Sequence, residues 1–422
     1  MSISSNFPTI RPSLLLDFAR SQALDPRVTF TRSTTATRTD SDGLIETVNA
    51  NAPRFDFDPL TGLCKGLLIE EQRTNLLTYS DLSVNSYSDG VTVTANSTVS
   101  PDGTVNATLL TSTVTGGSNT CYADRGATVT TSTTYTFSVF LKAGTSPNST
   151  ITLYFTGGTF RQAVGTVNWS TLAYTVTSTD STATGTITNY GNGWYRLTLT
   201  YTSGNNTVST SRVYVRDQGS NNVTGETVYA WGRQTEAGAF PTSYIPTTTA
   251  QVTRSADLAS MTGTNFSSWF NPAEGAIYCE SATVNLASNR GTWAIGNNSL
   301  GFGSGNMMYE VYDSGIGGRR ITFSYTNGSQ QVLVGTEVSQ TINTPSKGAF
   351  VYTVNNFAQS TNAVSPSTDT SGTVPIGVTG LSIGSLTAGW SGASQYLNGY
   401  IKKLAYYPAR LTNAQLQALT GA

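Results

Sequence analysis

A strict two-residue rhythm runs through the middle of this chain. In YTFSVFLK, Tyr135, Phe137, Val139 and Leu141 fall on one face and polar or smaller side chains on the other, which is the signature of a half-buried strand. Ile151 to Phe155, Ala173 to Val176 and Gly193 to Tyr201 repeat it. Within GNGWYRLTLTY, Trp194, Arg196, Thr198 and Thr200 share one face, and Tyr195, Leu197, Leu199 and Tyr201 the other. Gly, Asn and Pro-Asp-Gly turns break these runs at short intervals, as in NSTVSPDGTVNATLL (Asn96 to Leu110). Short alternating strands between such turns predict an all-β sandwich or jelly roll. No period of roughly 20–50 residues recurs, so solenoids and β-helices are excluded.

Composition narrows the class further. Only 11% of residues are charged, against about 25% in an ordinary domain. Thr, Ser, Asn and Gly fill the gap, while 21 Tyr and 6 Trp provide bulk for a core. A net charge of −1 with no basic cluster argues against nucleic acid, where phosphates must be neutralised. Histidine is absent, which removes imidazole acid–base chemistry, Ser-His-Asp and Cys-His triads and His-bearing zinc sites. The three cysteines, Cys64, Cys121 and Cys279, are too few and too scattered for a disulfide framework or a thiolate metal site. They suit synthesis in a reducing cytoplasm. The N-terminus has no signal-peptide pattern, and no run approaches the ~20 apolar residues of a membrane span, so no membrane insertion is expected.

With 422 residues the chain exceeds one usual core. It divides on pattern into a small β-rich N-terminal adaptor over 1–80, a β-sandwich over 81–250 and a second sandwich over 251–422. The hydroxyl-rich PTTTAQVTRSAD (Pro246 to Asp257) marks the second boundary. In the adaptor, Arg27 to Arg38 reads as strand, Asp40-Ser41-Asp42-Gly43 as a turn and Leu44 to Val48 as the return strand. That DSDG turn opens like a calcium loop but lacks the distant bidentate Glu, so it is read as a plain hairpin. Calcium stays open on composition, with no ligand set to name and no metal site assigned. Pro53 to Ser80 concentrates charge in Arg54, Asp56, Asp58, Lys65, Glu70, Glu71 and Arg73, and is expected to clasp one unit on the next. At the far end, Thr412 as N-cap and Gln415 as its capping-box partner predict a short C-terminal helix.

Four of these stretches resemble a module of tailed-bacteriophage virion proteins: LLLDFAR (Leu14 to Arg20), RVTFTRSTTATRTDSDGLIETV (Arg27 to Val48), Pro53 to Ser80, and YAWGRQTEAGAFPTSYIPTTTAQVTRSAD (Tyr229 to Asp257). In tail fibres, spikes and other host-facing appendages such segments frame a carbohydrate-binding-module-like jelly roll. The closing YLNGYIKKLAYYPARLT (Tyr396 to Thr412) is similar to the end of a concanavalin- or laminin-G-like lectin sandwich. The resemblance implies a virion protein, made in the host cytoplasm and assembled on the particle surface or tail. It implies partners among other virion proteins through the N-terminal region, host-surface polysaccharide as ligand, and a homotrimer.

Sugar binding in such folds relies on exposed aromatic rings with nearby amides and carboxylates. Trp169, in VNWSTLAY, and Trp390, in TAGWSGAS, are the carbohydrate-binding candidates, because both sit in polar, loop-like surroundings. The expected role is a tail fibre or receptor-binding appendage that holds glycan without cleaving it, and therefore no enzyme. One alternative is a capsid decoration, head fibre or connector that serves only as a spacer. A glycan-depolymerising spike is the third, and it would need two carboxylates across a cleft. Only Asp56/Asp58 and Glu70/Glu71 offer themselves, so no catalytic residue is assigned.

Overall fold

The computed structural model describes residues 6–84, 86–286, 289–297, 305–314, 318–386 and 395–422. The chain is all-β: two β-sandwiches, one inserted in the chain of the other rather than following it in tandem, with every pairing in their sheets antiparallel. The first is built from two six-stranded sheets. One runs Ile187–Asn189, Trp194–Thr202, Thr134–Ala143, Thr227–Ala237, Val105–Ser112 and Val91–Val99. The other runs Tyr174–Ser178, Arg161–Asn168, Asn148–Thr156, Val208–Tyr214, Tyr122–Thr128 and Tyr87–Asp89. Phe137, Val139, Leu141, Ile151, Leu153, Phe155, Leu197 and Leu199 fill the space between them, as the alternation predicts.

The second sandwich takes strands from both ends of the chain. Its eight-stranded sheet contains Glu274–Thr283, Ser346–Thr353 and Gly399–Tyr407 together with Leu14–Asp17, Phe55–Phe57 and Cys64–Ile69. Leu14 pairs with Tyr406, and Leu67 with Ile401. The facing seven-stranded sheet begins with Thr29–Thr31 beside Leu258–Thr262. Thus the segment set apart above as an adaptor lends its apolar side chains, Leu14, Leu16, Phe18, Phe30, Phe55, Leu67 and Ile69, to the core of the C-terminal unit. The first sandwich is inserted between these halves. The chain leaves through Arg73–Asn75 and returns through Val252–Arg254, and these two strands pair to form a neck.

Local details follow the same logic. The hairpin Ala36–Thr39 with Ile45–Val48 turns at the DSDG residues, where Asp40 Oδ1 accepts the N–H groups of Asp42 (2.9 Å) and Leu44 (2.8 Å). The Arg27 to Arg38 run is interrupted, contrary to the continuous strand expected. Arg32 turns inward, 1% exposed, and its guanidinium donates to the Thr34 carbonyl (3.0 Å) and the Asn49 carbonyl (2.7 Å), which bends the backbone out of the ladder. The C-terminal helix Asn413–Gly421 carries the capping box read from Thr412 and Gln415. It packs Leu416 and Leu419 against the outer side of the eight-stranded sheet. All three cysteines are free.

Candidate functional site

Pro53 to Ser80 lies where the two sandwiches meet, and its charged residues divide between a sealed cluster and an open cleft. In the cluster, Asp257 is fully buried and receives Arg32 at 3.0 Å and Arg54 at closer range. Arg54 also reaches Glu70 at 2.8 Å, and Arg254 stands 3.5 Å from the same carboxylate. Backbone groups tie Glu70 to Asp257 as well: the Asp257 N–H donates to the Glu70 carbonyl (2.9 Å), and the Glu70 N–H to the Asp257 carboxylate Oδ2 (2.9 Å). Ser243 gives Glu70 its N–H (2.8 Å) and its hydroxyl (2.7 Å). Burial alone would raise the Glu70 carboxyl, but Arg254, Arg54 and Ser243 outweigh it and bring its pKa down to about 2. Burial likewise opposes the charge on Arg54, and Asp257 and Glu70 overcome it, so that guanidinium is held above its usual range.

These residues come from RVTFTR, PRFDFD, LLIEEQR, FPTSY and VTRSAD, which are far apart in sequence. Arg32 and Asp257 are separated by 225 positions and Arg54 and Asp257 by 203. Beside the cluster, Glu71 joins Arg73 (2.5 Å), Arg290 (3.4 Å) and the Asn398 amide (2.8 Å). Phe240, from the exit turn of the first sandwich, lies under both guanidiniums, 4.8 Å from Arg73 and 5.3 Å from Arg290. Arg73 passes so close over Gly238 (φ +138°) that a Cβ there would sit 1.6 Å from its guanidinium, which is why the turn needs glycine. The junction is thereby made of ion pairs, a cation–π sandwich and a backbone ladder.

Above the cluster opens a cleft of about 930 Å³. Its floor is the hairpin of Phe55–Phe57 and Cys64–Ile69. One wall is Thr184 to Tyr190 with Ala239 to Tyr244, from the first sandwich; the other is Ala282 to Asn285, Ile342 to Pro345 and Asn398 to Lys402. A bulge shapes the floor. Asp56 pairs with Gly66 and Phe57 with Cys64, leaving Lys65 as the extra residue. Gly66 (φ +115°) permits it, since a Cβ would meet the Ile401 carbonyl oxygen at 2.3 Å. As a result Lys65 reaches Asp56 (2.6 Å) and donates to the Tyr400 hydroxyl (2.9 Å), which itself donates to Asp56 (2.9 Å). Asp56 is 5% exposed because this triad and the Thr39 N–H (2.7 Å) enclose its carboxylate. Burial opposes both the Lys65 ammonium and the Tyr400 phenolate. The Tyr400 oxygen and the Asp56 carboxylate prevail at Lys65 and hold it above its usual range, and burial beside Asp56 keeps Tyr400 protonated well above its own.

Each charged group lining the cleft already has a partner within the protein. Arg38 pairs with Glu46 (2.6 Å), Lys402 with Glu280 (2.9 Å), and Arg196 donates to the Thr242 carbonyl (2.8 Å) and Ser138 hydroxyl (2.9 Å). Asp58 accepts the N–H groups of Leu60 (3.0 Å) and Thr61 (2.9 Å). What remains is hydroxyl, amide and aromatic: Thr186, Thr188, Asn189, Asn343, and the rings of Tyr190 and Tyr400, with Leu60, Leu63 and Ile342 exposed at the lips. Tyr190 is braced edge-on against Phe140 at 4.9 Å.

Trp169 is not in this cleft. It is half-buried in the turn after Arg161–Asn168, donates its indole N–H to the Ser149 hydroxyl (3.0 Å) and packs 6.1 Å from Tyr195 on the first core. Trp390 lies outside the described residues. Trp194, on the face opposite the leucines, is 2% exposed and belongs to an aromatic cluster with Phe140, Trp231 and Tyr244 beneath the Ala36–Val48 hairpin. The cleft tyrosines, Tyr190 in NYGNGWYR and Tyr400 in LNGYIKK, escaped sequence reading because nothing local separates them from core tyrosines. Among the described residues, no group of three or more His, Cys, Asp and Glu side chains could hold a metal ion, and no helix is long and apolar enough to cross a membrane.

No protein-family model and no curated sequence matches the chain. Among solved structures it is similar to the CBM40 of the Ruminococcus gnavus IT-sialidase bound to α2,3-sialyllactose, at 16% identity and a TM-score of 0.31, covering 36% of this chain and 84% of that one. It is similar to the NanB sialidase of Streptococcus pneumoniae, at 13% identity and a TM-score of 0.32, covering 38% of this chain and 26% of that one. A SAP-like pentraxin of Limulus polyphemus matches at 14% identity and a TM-score of 0.27, over 34% of this chain and 68% of its own. One expectation is corrected: sequence reading excluded an enzyme, yet the similar structures include sialidases, NanB and a leech intramolecular trans-sialidase, so that exclusion is withdrawn. The similar structures are thus sialidases, a sialidase carbohydrate-binding module and a pentraxin.

Proposed function

We propose that this chain is a glycan-binding component of a bacteriophage particle, a tail fibre or receptor-binding appendage that holds host-surface polysaccharide in the cleft between its sandwiches. One observation carries the binding part of this reading. The cleft presents two tyrosine rings and a set of hydroxyls and amides, while its seven charged side chains are engaged inside the protein. A surface of that kind offers a polyhydroxylated chain stacking and hydrogen bonds without an unpaired charge to desolvate. The virion placement rests on the four motifs given above. In this reading their residues are kept together because they build the buried junction that sets the cleft's width. The junction also favours a second reading, in which the chain is a rigid connector or capsid decoration and the cleft is only the seam between its parts.

Retention of the full chain on immobilised bacterial surface polysaccharides (O-chains, capsular polymers and teichoic acids) tests the first reading. Tyr190→Ala is expected to weaken retention by several-fold to about tenfold, from loss of one stacking ring. Tyr400→Phe removes a hydroxyl from the triad and should weaken it less. Absence of retention on all three classes favours the connector. Antibodies to the chain applied to purified phage particles locate it: labelling of tail or capsid supports the virion placement, and its absence from particles rejects it.

A further inference from the structure

The cleft between the sandwiches is polar along its walls but apolar at its mouth. Leu60, Leu63 and Ile342 line it at 58%, 69% and 45% exposure. Exposed apolar side chains scattered singly need no explanation, but three around one opening mark a contact surface. The two leucines do not stand on a slack loop. Asp58 Oδ1 accepts the Leu60 N–H (3.0 Å), the Thr61 N–H (2.9 Å) and the Thr61 hydroxyl (3.0 Å), and the Asp58 N–H donates to the Leu63 carbonyl (2.9 Å). Gly62 (φ +64°) brings the chain so close to the Ser41 carbonyl that a Cβ would stand 2.7 Å from its oxygen. Polar groups therefore build this turn, and its leucine side chains stand largely outside it. Leu60 also reaches across to Gly191, its Cδ2 lying 3.9 Å from where a Cβ would be. Gly191 follows Tyr190, so methyl groups stand beside the stacking ring. The same wall offers the Thr188 hydroxyl and the Asn189 amide, both on exposed residues.

We infer that the cleft selects uncharged N-acetylated amino sugars, an inference that rests on the glycan-binding reading above. An acetamido group carries a methyl for the leucines and an amide for the hydroxyl and side-chain amide of the wall. A plain hexose has no methyl to place there. A sugar carboxylate would meet Asp56 and Asp58 in the floor, while Arg38, Lys65 and Lys402 are already paired within the protein. The test is displacement of the full chain from a polysaccharide that retains it. N-acetylglucosamine is compared with glucose, and N-acetylgalactosamine with galactose, each couple differing only by acetamido for hydroxyl. In at least one couple the N-acetyl sugar should displace at about fourfold lower concentration, the scale set by burial of one methyl. Fucose, with a methyl but no amide, should fall between the two, and glucuronic acid should be weakest. Leu60→Ser combined with Leu63→Ser, at exposed positions where folding is not at stake, should bring that couple to within about twofold while retention persists. Four results would overturn the inference and leave the glycan-binding reading standing: equal displacement within both couples, displacement by none of these sugars, fucose or glucuronic acid as the strongest competitor, or a preference that survives the double substitution. Absence of retention on every polysaccharide would reject both.

Discussion

The Asp257-centred cluster and the Glu310–Arg320 pair are both sealed from water, but they join very different things. Glu310 and Arg320 stand ten positions apart on neighbouring strands, 2.5 Å between charged atoms, inside the second sandwich. Thr292, Trp293 and Gln359 complete the carboxylate's hydrogen bonds, and Arg320 donates to the Cys279 and Ser346 carbonyls of the facing sheet. That pair ties two layers of one body. The Asp257 cluster instead gathers segments some two hundred positions apart, at the neck through which the first sandwich is inserted. Buried ion pairs are poor sources of net stability, yet removing one partner is costly because the other charge is stranded. A network assembled from distant segments therefore acts as a check on arrangement: until all its segments arrive, arginines are left buried and unpaired.

The largest effect separating the two should come from Asp257→Ala. It strands Arg32 and leaves Arg54 with Glu70 as its one carboxylate partner, and is expected to lower stability by about 3–5 kcal/mol in urea unfolding, with the neck and the second sandwich loosening together. Glu310→Ala strands only Arg320 and should fall toward the lower end of that range. Hydrogen exchange should place its effect within the second sandwich, its strands from residues 14–69 included, and leave the core strands of 81–250 protected. Equal loss of protection in both units would erase the distinction. Acid gives a smaller and graded effect. Because the Glu70 pKa falls from 4.5 to about 2 on folding, its contribution is complete above pH about 4.5 and is lost as pH drops toward 2. That amounts to roughly 3 kcal/mol at most, readable as a fall in unfolding midpoint across this window that Glu70→Gln makes smaller, the remainder coming from other lowered carboxylates such as Asp58 and Asp102. Least affected should be Asp25→Asn. Its partner Arg27 is partly exposed, at 2.7 Å, and the change should stay below about 1 kcal/mol.

Legibility in the sequence tracked the range of the interactions. Alternation in YTFSVFLK and GNGWYRLTLTY marked strands and the face that fills the first core, and the Thr412 capping box marked the last helix, since both depend on neighbours a few positions away; the half-buried expectation failed, because Ser138, Phe140, Trp194 and Arg196 on the opposite face are buried as well. The charged stretch from Pro53 announced itself by contrast with a charge-poor chain. Its partners did not, because Arg254 and Asp257 sit in a hydroxyl-rich segment that reads as a linker. Nor does local pattern show that Leu14–Asp17 and Cys64–Ile69 complete a sheet with Gly399–Tyr407, a pairing across most of the chain. The site was hardest. Trp169 looked free because its turn is polar, whereas Ser149 and Tyr195 hold it from other strands. Tyr190 and Tyr400 become a pair of cleft rings only once the neck has brought the two sandwiches together.

Small-angle X-ray scattering of the full chain at low and at molar salt tests most directly whether the buried junction holds the two sandwiches in one arrangement. Screening weakens exposed charges but reaches sealed ones little, so one unchanged profile, matching the closed arrangement of the structure, is expected at both salt concentrations. Expansion on adding salt, or a profile that needs several arrangements at either concentration, would contradict it.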